Sequence, residues 1–301
     1  MIPSLRRIAE ATGKPKDLGT LAAALARVDP AEAATLLRRA YDQASTIDDH
    51  QIASVVGDHL VSLLGNQGKL REALTLSDQI LEHSRQAGSG PWTQLSEQGQ
   101  RLRIFSMLGH HAQVLTDLPM LRARMEELPD ELAGDDRANS WAVREYILNI
   151  GVNSAGALER WQEALDLNKE VIELRRRRGA SAHDTARTQF NSYGVLLRLG
   201  RTDEAEQVLR ACREVFEAVG DITSLPKIYA AYADLERLRG HLEDALTLQR
   251  TALRLAYVSP EPRALAAFHD GLAFYLRGVT ELSAEQRAHR LASALLHHFV
   301  G

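Results

Sequence analysis

The sequence predicts an all-α protein made of antiparallel helix pairs stacked in a row, and three observations support this prediction. Alanine and leucine, both strong helix formers, supply most of the apolar content. Apolar residues recur at the i, i+3, i+4, i+7 spacing of amphipathic helices. A glycine followed five residues later by a small or branched residue recurs at Gly68, Gly109, Gly200 and Gly240. Such self-similarity at a fixed period is typical of repeat proteins, in which each unit buries its apolar face against the next.

The period of the repeat is about 41 residues. Positions 68, 109, 159, 200 and 240 are separated by 41, 50, 41 and 40 residues, and at 159 a glutamate replaces the glycine. An apolar-periodic segment precedes and follows each position, so each unit is predicted to be a helix, a tight turn and a second helix. Glycine suits this turn because a helix C-cap needs left-handed backbone, which a Cβ atom disfavours. The small residue five positions later, such as Ala73, is expected to let the two helices approach closely.

The repeats divide the chain into three predicted parts. Residues 1–48 are expected to form a degenerate N-terminal helix pair at 18–45, entered through the GKPKD loop, and residues 258–301 a C-terminal capping pair. Between them, 49–257 is expected to hold five pairs, at 49–87, 91–127, 136–178, 182–219 and 222–257. The acidic stretch LPDELAGDDR, 128–137, accounts for the one spacing of 50 residues. It is either a simple insertion between repeats or a functional loop.

Composition excludes several classes of partner. The formal charge of −4, from 36 basic and 40 acidic residues, gives no drive towards nucleic acid or an anionic membrane. The basic run Arg175 to Arg178 ends a predicted helix, where it complements the helix dipole and lies within pairing distance of Glu173.

Cys212 is the only cysteine, which excludes a disulfide within the chain and a cysteine-based zinc site. A single cysteine fits a reducing compartment, and no stretch reaches the ~18 apolar residues of a membrane span, so a cytoplasmic protein is expected.

The sequence predicts no catalytic centre, cofactor site or metal site. The patterns G-x-x-x-x-G-K-[ST], G-x-G-x-x-G and G-x-S-x-G are absent. The doublets His110-His111 and His297-His298 are adjacent in sequence, so their side chains diverge on a helix and cannot chelate one metal ion. A non-enzymatic protein is therefore expected.

The G-x-x-x-E-A turn, preceded by a helix such as FNSYGVLLRLG, resembles the tetratricopeptide repeat. That repeat has about 34 residues, so the helices here are expected to be longer by about a turn each. The lengthened form is similar to the repeats of kinesin light chains and of the sensor arms of bacterial signalling ATPases, and the likeness covers about 49–278. It implies a right-handed α-solenoid whose concave groove binds a protein or peptide partner.

The resemblance also implies which residues line the groove, namely those about 13, 10 and 6 positions before each turn, on the first helix of a pair. Asp58 and Asp234 fall on these offsets. The candidates for peptide binding are Arg103, Tyr146, Asn149, Asn153, Arg187, Asn191 and Lys227. Of these, Asn191 lies on the inner face only if the register of the fourth repeat shifts by one residue. The asparagine amides could pair with an extended peptide backbone, and the three cations could receive an acidic motif. We therefore expect the partner peptide to have some acidic character.

Three functional hypotheses follow. The leading one is a scaffold or adaptor that binds a polypeptide in the groove and performs no chemistry. The second is a sensor arm of a larger bacterial signalling ATPase or transcription regulator. The third is a small-molecule pocket inside the superhelix, lined by Tyr146, Phe190, Tyr193 and Tyr229, although such aromatic residues more often pack between repeats. The identity of the partner and the oligomeric state stay open.

Overall fold

The computed structural model describes residues 1–131, 136–277 and 279–300, and in these ranges all regular secondary structure is helical. The prediction of an all-α protein is confirmed. The chain divides into two compact units, Met1–Arg160 and Trp161–Gly301.

The first unit holds eight described helices joined by short turns, except for the longer connection before the last. They are α1 Ile2–Thr12, α2 Pro15–Leu25, α3 Pro30–Thr46, α4 His50–Asn66, α5 Leu70–Gln86, α6 Pro91–Met107, α7 His111–Glu127 and α8 Ser140–Ala157. Each packs against the next along the chain, and α6 also packs against α4 and α8. The first helices of successive pairs therefore form one contacting row. Buried alanine and leucine side chains fill the core of this unit.

The second unit continues the same pattern. Its described helices are α9 Trp161–Arg177, α10 Ala182–Phe190, α11 Ser192–Arg198, α12 Thr202–Val219, α13 Leu225–Leu238, α14 Leu242–Ala256, α15 Pro262–Tyr275 and α16 Ser283–Val300, with a 3-10 turn at Thr280–Leu282. Helices α13 and α14 pack as a pair, as do α15 and α16, while α12 packs against α10, α11 and α13. Neighbouring helices of the second unit thus pack in pairs, as the sequence predicts, while the pair predicted at 136–178 is divided between the two units.

The turn glycines have the left-handed backbone that the sequence predicts. Gly68, Gly109, Gly200 and Gly240 have φ between 72° and 88°. At Gly68 the glycine N–H donates to the Gly65 carbonyl, and the next N–H donates to the Leu64 carbonyl, so the end of α4 is a Schellman motif. The residue five positions after each turn is buried, as at Ala73. This small side chain lies where the second helix of the pair meets its neighbours.

Glu159 adopts the glycine conformation without being glycine. Its φ is 58°, and the turn keeps the same two backbone hydrogen bonds, from Glu159 to Gly156 and from Arg160 to Ala155. Left-handed backbone costs a residue with a Cβ atom roughly 1–2 kcal/mol. The repeat therefore imposes its turn even where the sequence departs from glycine.

Two parts of the secondary structure differ from the sequence predictions. Residues 2–12 form the additional helix α1, and α2 begins at Pro15, inside the segment predicted to be a loop. The helix predicted after residue 182 is interrupted at Asn191, which separates α10 from α11. At this point Asn191 N–H donates to the Thr188 carbonyl, and the Asn168 amide from α9 approaches the same carbonyl at 3.4 Å. A side chain from a neighbouring helix thus enters the backbone hydrogen-bond ladder, which is a recognised cause of helix breaks.

The long connection between α7 and α8 holds the start of α6. Residues 132–135 of the acidic stretch lie outside the described residues. On its flanks, the Pro129 carbonyl accepts the indole N–H of the fully buried Trp92 at 2.9 Å, and the Asp136 carboxylate accepts the Thr93 N–H at 3.0 Å. Because Gly90, the N-cap of α6, has no side chain, Asp136 supplies the missing cap from the loop.

None of the described helices combines the length and apolar character needed to cross a membrane.

Candidate functional site

In the first unit, two predicted groove residues, Arg103 and Tyr146, come together on the row formed by α4, α6 and α8. Tyr146 lies against Gly99 of α6, where an added Cβ atom would be 3.1 Å from its ring. The Arg103 guanidinium lies over Gly65 of α4 in the same way, 3.2 Å from a Cβ at that position. Burial raises the pKa of the Tyr146 hydroxyl, and the charge and hydrogen bond of Arg103 oppose this rise. Glycines in one helix therefore make room for large side chains of the next.

Asp58 belongs to the same surface. Burial raises the pKa of its carboxyl to about 8, and the nearby Glu97 adds to the rise while Arg137 opposes it. The Asp58 side chain has no hydrogen bond to a residue in the described ranges. A carboxyl in this state is largely protonated at neutral pH, so it presents a hydrogen-bond donor to the surface.

Arg137, which the sequence did not suggest, reaches this surface from the α7–α8 connection. Its guanidinium donates to the Ser54 hydroxyl at 2.9 Å and lies 3.7 Å from a carboxylate oxygen of Glu97. Ser54 in turn donates to Glu97 at 2.8 Å. Glu97 is only 2% exposed, and burial raises the pKa of its carboxyl. The Arg137 guanidinium thus opposes the rise that burial causes in the pKa values of both Asp58 and Glu97, which gives the end of the acidic stretch a structural role.

The two asparagines of α8 differ in what they offer a ligand. The Asn149 amide donates to the Glu145 carbonyl one turn earlier at 2.6 Å, so part of its donor capacity is used within its own helix. The Asn153 side chain is exposed. Peptide binding by these two residues stays a prediction.

In the second unit, the other three predicted residues, Arg187, Asn191 and Lys227, line a single cavity of about 470 Å³, which we call the Arg187 cavity. All three are exposed. None of their side chains makes a hydrogen bond or ion pair with another residue of the described ranges. The complete lining is Arg175, Asp184, Arg187, Thr188, Phe190, Asn191, Phe216, Ser224 and Lys227.

Local structure explains why these side chains meet. The break at Asn191 places its side chain at the junction of α10 and α11, and the Asn168 amide, which donates to the Ser192 hydroxyl at 2.7 Å, holds this junction. On the other side, the Asp221 carboxylate accepts the N–H groups of Thr223 and Ser224 at 3.0 Å each, immediately before α13. Lys227 follows in the first turn of that helix.

Asp221 also ties the two walls of the cavity together. Its carboxylate lies 2.7 Å from Nε2 of His183, at the start of α10. Burial alone would raise the pKa of Asp221, but hydrogen bonds from Ser224, His183 and Thr223 hold it well below its usual range. The ionised carboxylate therefore fixes the start of α13 to the start of α10.

Positive charge dominates the Arg187 cavity. Arg175 donates to the Asp184 carbonyl at 2.7 Å, which keeps its guanidinium at the rim. Asp184 is the one carboxylate of the lining, and the Ser181 hydroxyl, with His183 and Arg175, lowers its pKa. Three cations and one carboxylate leave the lining with a net charge of +2. Two of the cations, Arg187 and Lys227, have their donors available to a ligand.

The aromatic residues of the small-molecule hypothesis are partly accounted for by packing. The rings of Phe190 and Tyr193 lie with centroids 5.0 Å apart, and burial raises the pKa of Tyr193 to about 12. Tyr229 packs under the Arg213 guanidinium. Phe190 is the member of the set that lines the Arg187 cavity.

The first unit has a second cationic cavity, of about 880 Å³, that sequence reasoning did not identify. We call it the Arg39 cavity. It lies between α3 and the turn from α4 to α5, and its charged lining residues are Arg38, Arg39, Asp42 and Lys69. Arg38 forms an ion pair with Glu72. The position of Lys69 directly after the turn glycine is the one sequence signal that could have pointed to it.

Arginines of the basic run Arg175 to Arg178 form ion pairs along their own helix, as the sequence predicts. Glu173 lies 3.8 Å from Arg176 and 3.5 Å from Arg177.

In the described ranges, one group of side chains could offer three ligand atoms to a metal ion, namely Glu236, His241 and Asp244. The two oxygens of Glu236 already bind Arg239 and His241 at 2.8 and 2.7 Å.

Solved structures share this architecture, although no protein-family model and no curated protein matches the sequence. The apo form of RapI superposes with a TM-score of 0.62 at 13% identity, over 86% of this chain and 74% of that chain. A second match is a putative kinesin light chain from Podosopora anserina with nearly identical TPR-like repeats. It superposes with a TM-score of 0.54 at 15% identity, and the match covers 66% of this chain and 92% of that chain. The chain therefore has the fold of the tetratricopeptide-like α-solenoid proteins.

Proposed function

We propose that this protein is a scaffold that binds an acidic segment of a partner polypeptide and catalyses no reaction itself. The observation that carries the proposal is the Arg187 cavity, where two exposed cations without ion-pair partners in the described ranges face the same space. Charge-assisted hydrogen bonds to carboxylates are about twice as strong as neutral ones.

The remaining lining suits a polypeptide. The Asn191 amide offers two donors and an acceptor, which can pair with the backbone of an extended segment whatever its sequence. Phe190 supplies an apolar contact beside the charges. Acidic side chains would give affinity through Arg187 and Lys227, and backbone contacts at Asn191 would fix the direction of the segment.

The chemistry of the cavity also favours binding over catalysis. Its lining contains no histidine or cysteine, and its one carboxylate, Asp184, has a lowered pKa and is therefore a weak base. The same residues supply fixed positive charge and hydrogen-bond donors, which are the properties of a recognition site.

Selection from a random peptide library tests the proposal. The purified protein is expected to enrich peptides rich in aspartate and glutamate, and the charge-reversed double variant Arg187→Glu with Lys227→Glu is expected to lose this enrichment. Arg254→Glu is the matched control, because Arg254 is an exposed arginine of α14 outside the cavity lining. Equal enrichment by the wild type and the double variant would overturn the placement of the site. Absence of any acidic enrichment in the wild type would overturn the proposed ligand.

A further inference from the structure

We propose that the Arg187 cavity recognises a phosphate monoester, carried by a phosphorylated serine, threonine or tyrosine side chain of the partner. This inference rests on the proposed function and names the chemical group that the site selects. It follows from the charge of the lining, the kind of donors and the way in which they are held.

The charge of the cavity matches a dianion better than a single carboxylate. The lining has a net charge of +2, and a phosphorylated side chain has a charge of about −1.5 to −2 near pH 7. One carboxylate would leave an uncompensated cation in the cavity. Both Arg187 and Lys227 lack another partner among the described residues, so both charges are available to the same group.

The donors also suit the three oxygens of a phosphate. The Arg187 guanidinium is planar and can donate two parallel hydrogen bonds to two oxygens, while the Lys227 ammonium acts as a compact charge on a flexible stem. The Asn191 amide adds a neutral donor at the same rim. A phosphate accepts from all three side chains at once, whereas a carboxylate has two oxygens to share among them.

The walls that carry these donors are fixed in advance. Asn168 holds the junction beside Asn191, and the Asp221 contact with His183 joins the starts of α10 and α13. Groups that are ordered before binding lose less conformational entropy when the ligand arrives, which favours affinity for a small charged group. The cavity of 470 Å³ has room for a phosphorylated side chain and a short length of its backbone.

Fluorescence anisotropy with labelled peptides tests the inference directly. The probes are one five-residue peptide with alanines around a central phosphoserine, and two otherwise identical peptides with serine or aspartate at the centre. We expect the phosphoserine peptide to bind about 10-fold tighter than the aspartate peptide, since a second charge-assisted hydrogen bond is gained, and the serine peptide to bind weakest. Binding of the aspartate peptide as tightly as the phosphoserine peptide would overturn the inference while leaving the proposed function intact.

Variants locate the site. Arg187→Gln and Lys227→Met are each expected to weaken phosphoserine binding by about 10-fold or more, and Lys227→Arg to retain most of it. Arg39→Gln is the matched control, because it removes an exposed cation from the other cationic cavity. A loss of binding in Arg39→Gln, with none in Arg187→Gln, would place the phosphate in the Arg39 cavity and overturn the inference. Circular dichroism melts of each variant separate lost binding from lost folding.

Competition distinguishes a phosphorylated protein from a free phosphorylated metabolite, since both carry the same chemical group. Inorganic phosphate and adenosine monophosphate are added to the phosphoserine peptide complex. Weak displacement by both supports recognition of a phosphorylated side chain together with its backbone. Displacement by adenosine monophosphate at concentrations below those of the peptide would overturn the assignment to a protein partner.

Discussion

The side-chain amide of Asn168 donates to the hydroxyl of Ser192 at 2.7 Å, and this contact lies where α10 ends and α11 begins. Asn168 is 2% exposed and Ser192 is 4% exposed, so neither group can exchange its partner for water. A hydrogen bond of this kind stabilises the fold mainly because leaving one partner buried and unpaired is costly. The same contact sets the position of Asn191 at the rim of the Arg187 cavity.

Replacing Asn168 by alanine is expected to lower the free energy of unfolding by about 1–3 kcal/mol, since Ser192 loses a buried partner and a void remains. Urea denaturation followed by circular dichroism measures the change. Asn153→Ala is the matched control, because it makes the same chemical change at an exposed position of helix α8 and is expected to alter stability by less than about 0.5 kcal/mol. Equal effects of the two substitutions would contradict a structural role for the Asn168 contact.

At the left-handed turn of Glu159 we expect a substitution to raise stability, in contrast to the loss expected at Asn168. Glu159→Gly is expected to raise the free energy of unfolding by about 1 kcal/mol, because glycine adopts a φ of 58° without the Cβ penalty. The reciprocal substitution, Gly68→Ala, is expected to lower it by a similar amount. An added Cβ at Gly68 would touch no atom within 4 Å, so the comparison isolates backbone conformation from packing. Thermal melts of the two variants beside the wild type measure both effects, and a destabilised Glu159→Gly protein would show that the glutamate side chain stabilises the turn.

Much of the fold could be predicted because its signals are local. The turn glycine and the small residue after it each reflect a constraint within one helix pair, so Gly200 and Ala205 identify their turn without knowledge of the rest of the chain. The same register placed Arg187 and Lys227 on the surface where the cavity forms, and a shift of the fourth repeat by one residue added Asn191. Once the turns are located, helical periodicity is enough to identify the outward-facing side chains.

The missed features depend on residues distant in sequence. The break at Asn191 requires the Asn168 amide from another helix, and nothing in the segment around Asn191 signals it. Arg137 acts through Ser54 and Glu97, which it reaches only because the α7–α8 connection folds back over α6. Helix α1 was missed because it adds little to the core, with Ala9 as its one buried residue. Contacts of this kind become visible only when the helices are placed in space.

The cap that Asp136 supplies to α6 predicts a graded stability series. Asp136→Ala is expected to lower the free energy of unfolding by about 1 kcal/mol, because the Thr93 N–H at the helix start loses its acceptor. Asp136→Asn keeps an acceptor oxygen and is expected to retain most of the stability. Urea denaturation of the three proteins measures the series. Equal losses in the alanine and asparagine variants would show that the charge of Asp136, and not its hydrogen bond to Thr93, stabilises the unit.

The carboxyl of Asp58 predicts how stability depends on pH. Burial raises its pKa from an ordinary value of 3.8 to about 8, so between these values the folded protein holds a proton that the unfolded chain has released. The unfolded state then binds fewer protons than the folded state, and stability falls as the pH rises through this window. Glu97, whose pKa is also raised by burial, adds to the same trend.

Asp58→Asn removes the ionisation while keeping the shape of the side chain. We expect the free energy of unfolding of the wild type to fall between pH 6.5 and pH 9, and that of the variant to fall less over the same range. Urea denaturation at these two pH values measures the difference, and Asp203→Asn, at an exposed position of α12, is the control. Burial lowers the pKa values of His83 and His269, so these side chains also affect stability near pH 6.5. They are present in both the wild type and the variant, so their contribution cancels in the comparison. Parallel pH profiles for the wild type and Asp58→Asn would show that the Asp58 carboxyl is ionised in the folded protein, with Arg137 compensating its charge fully.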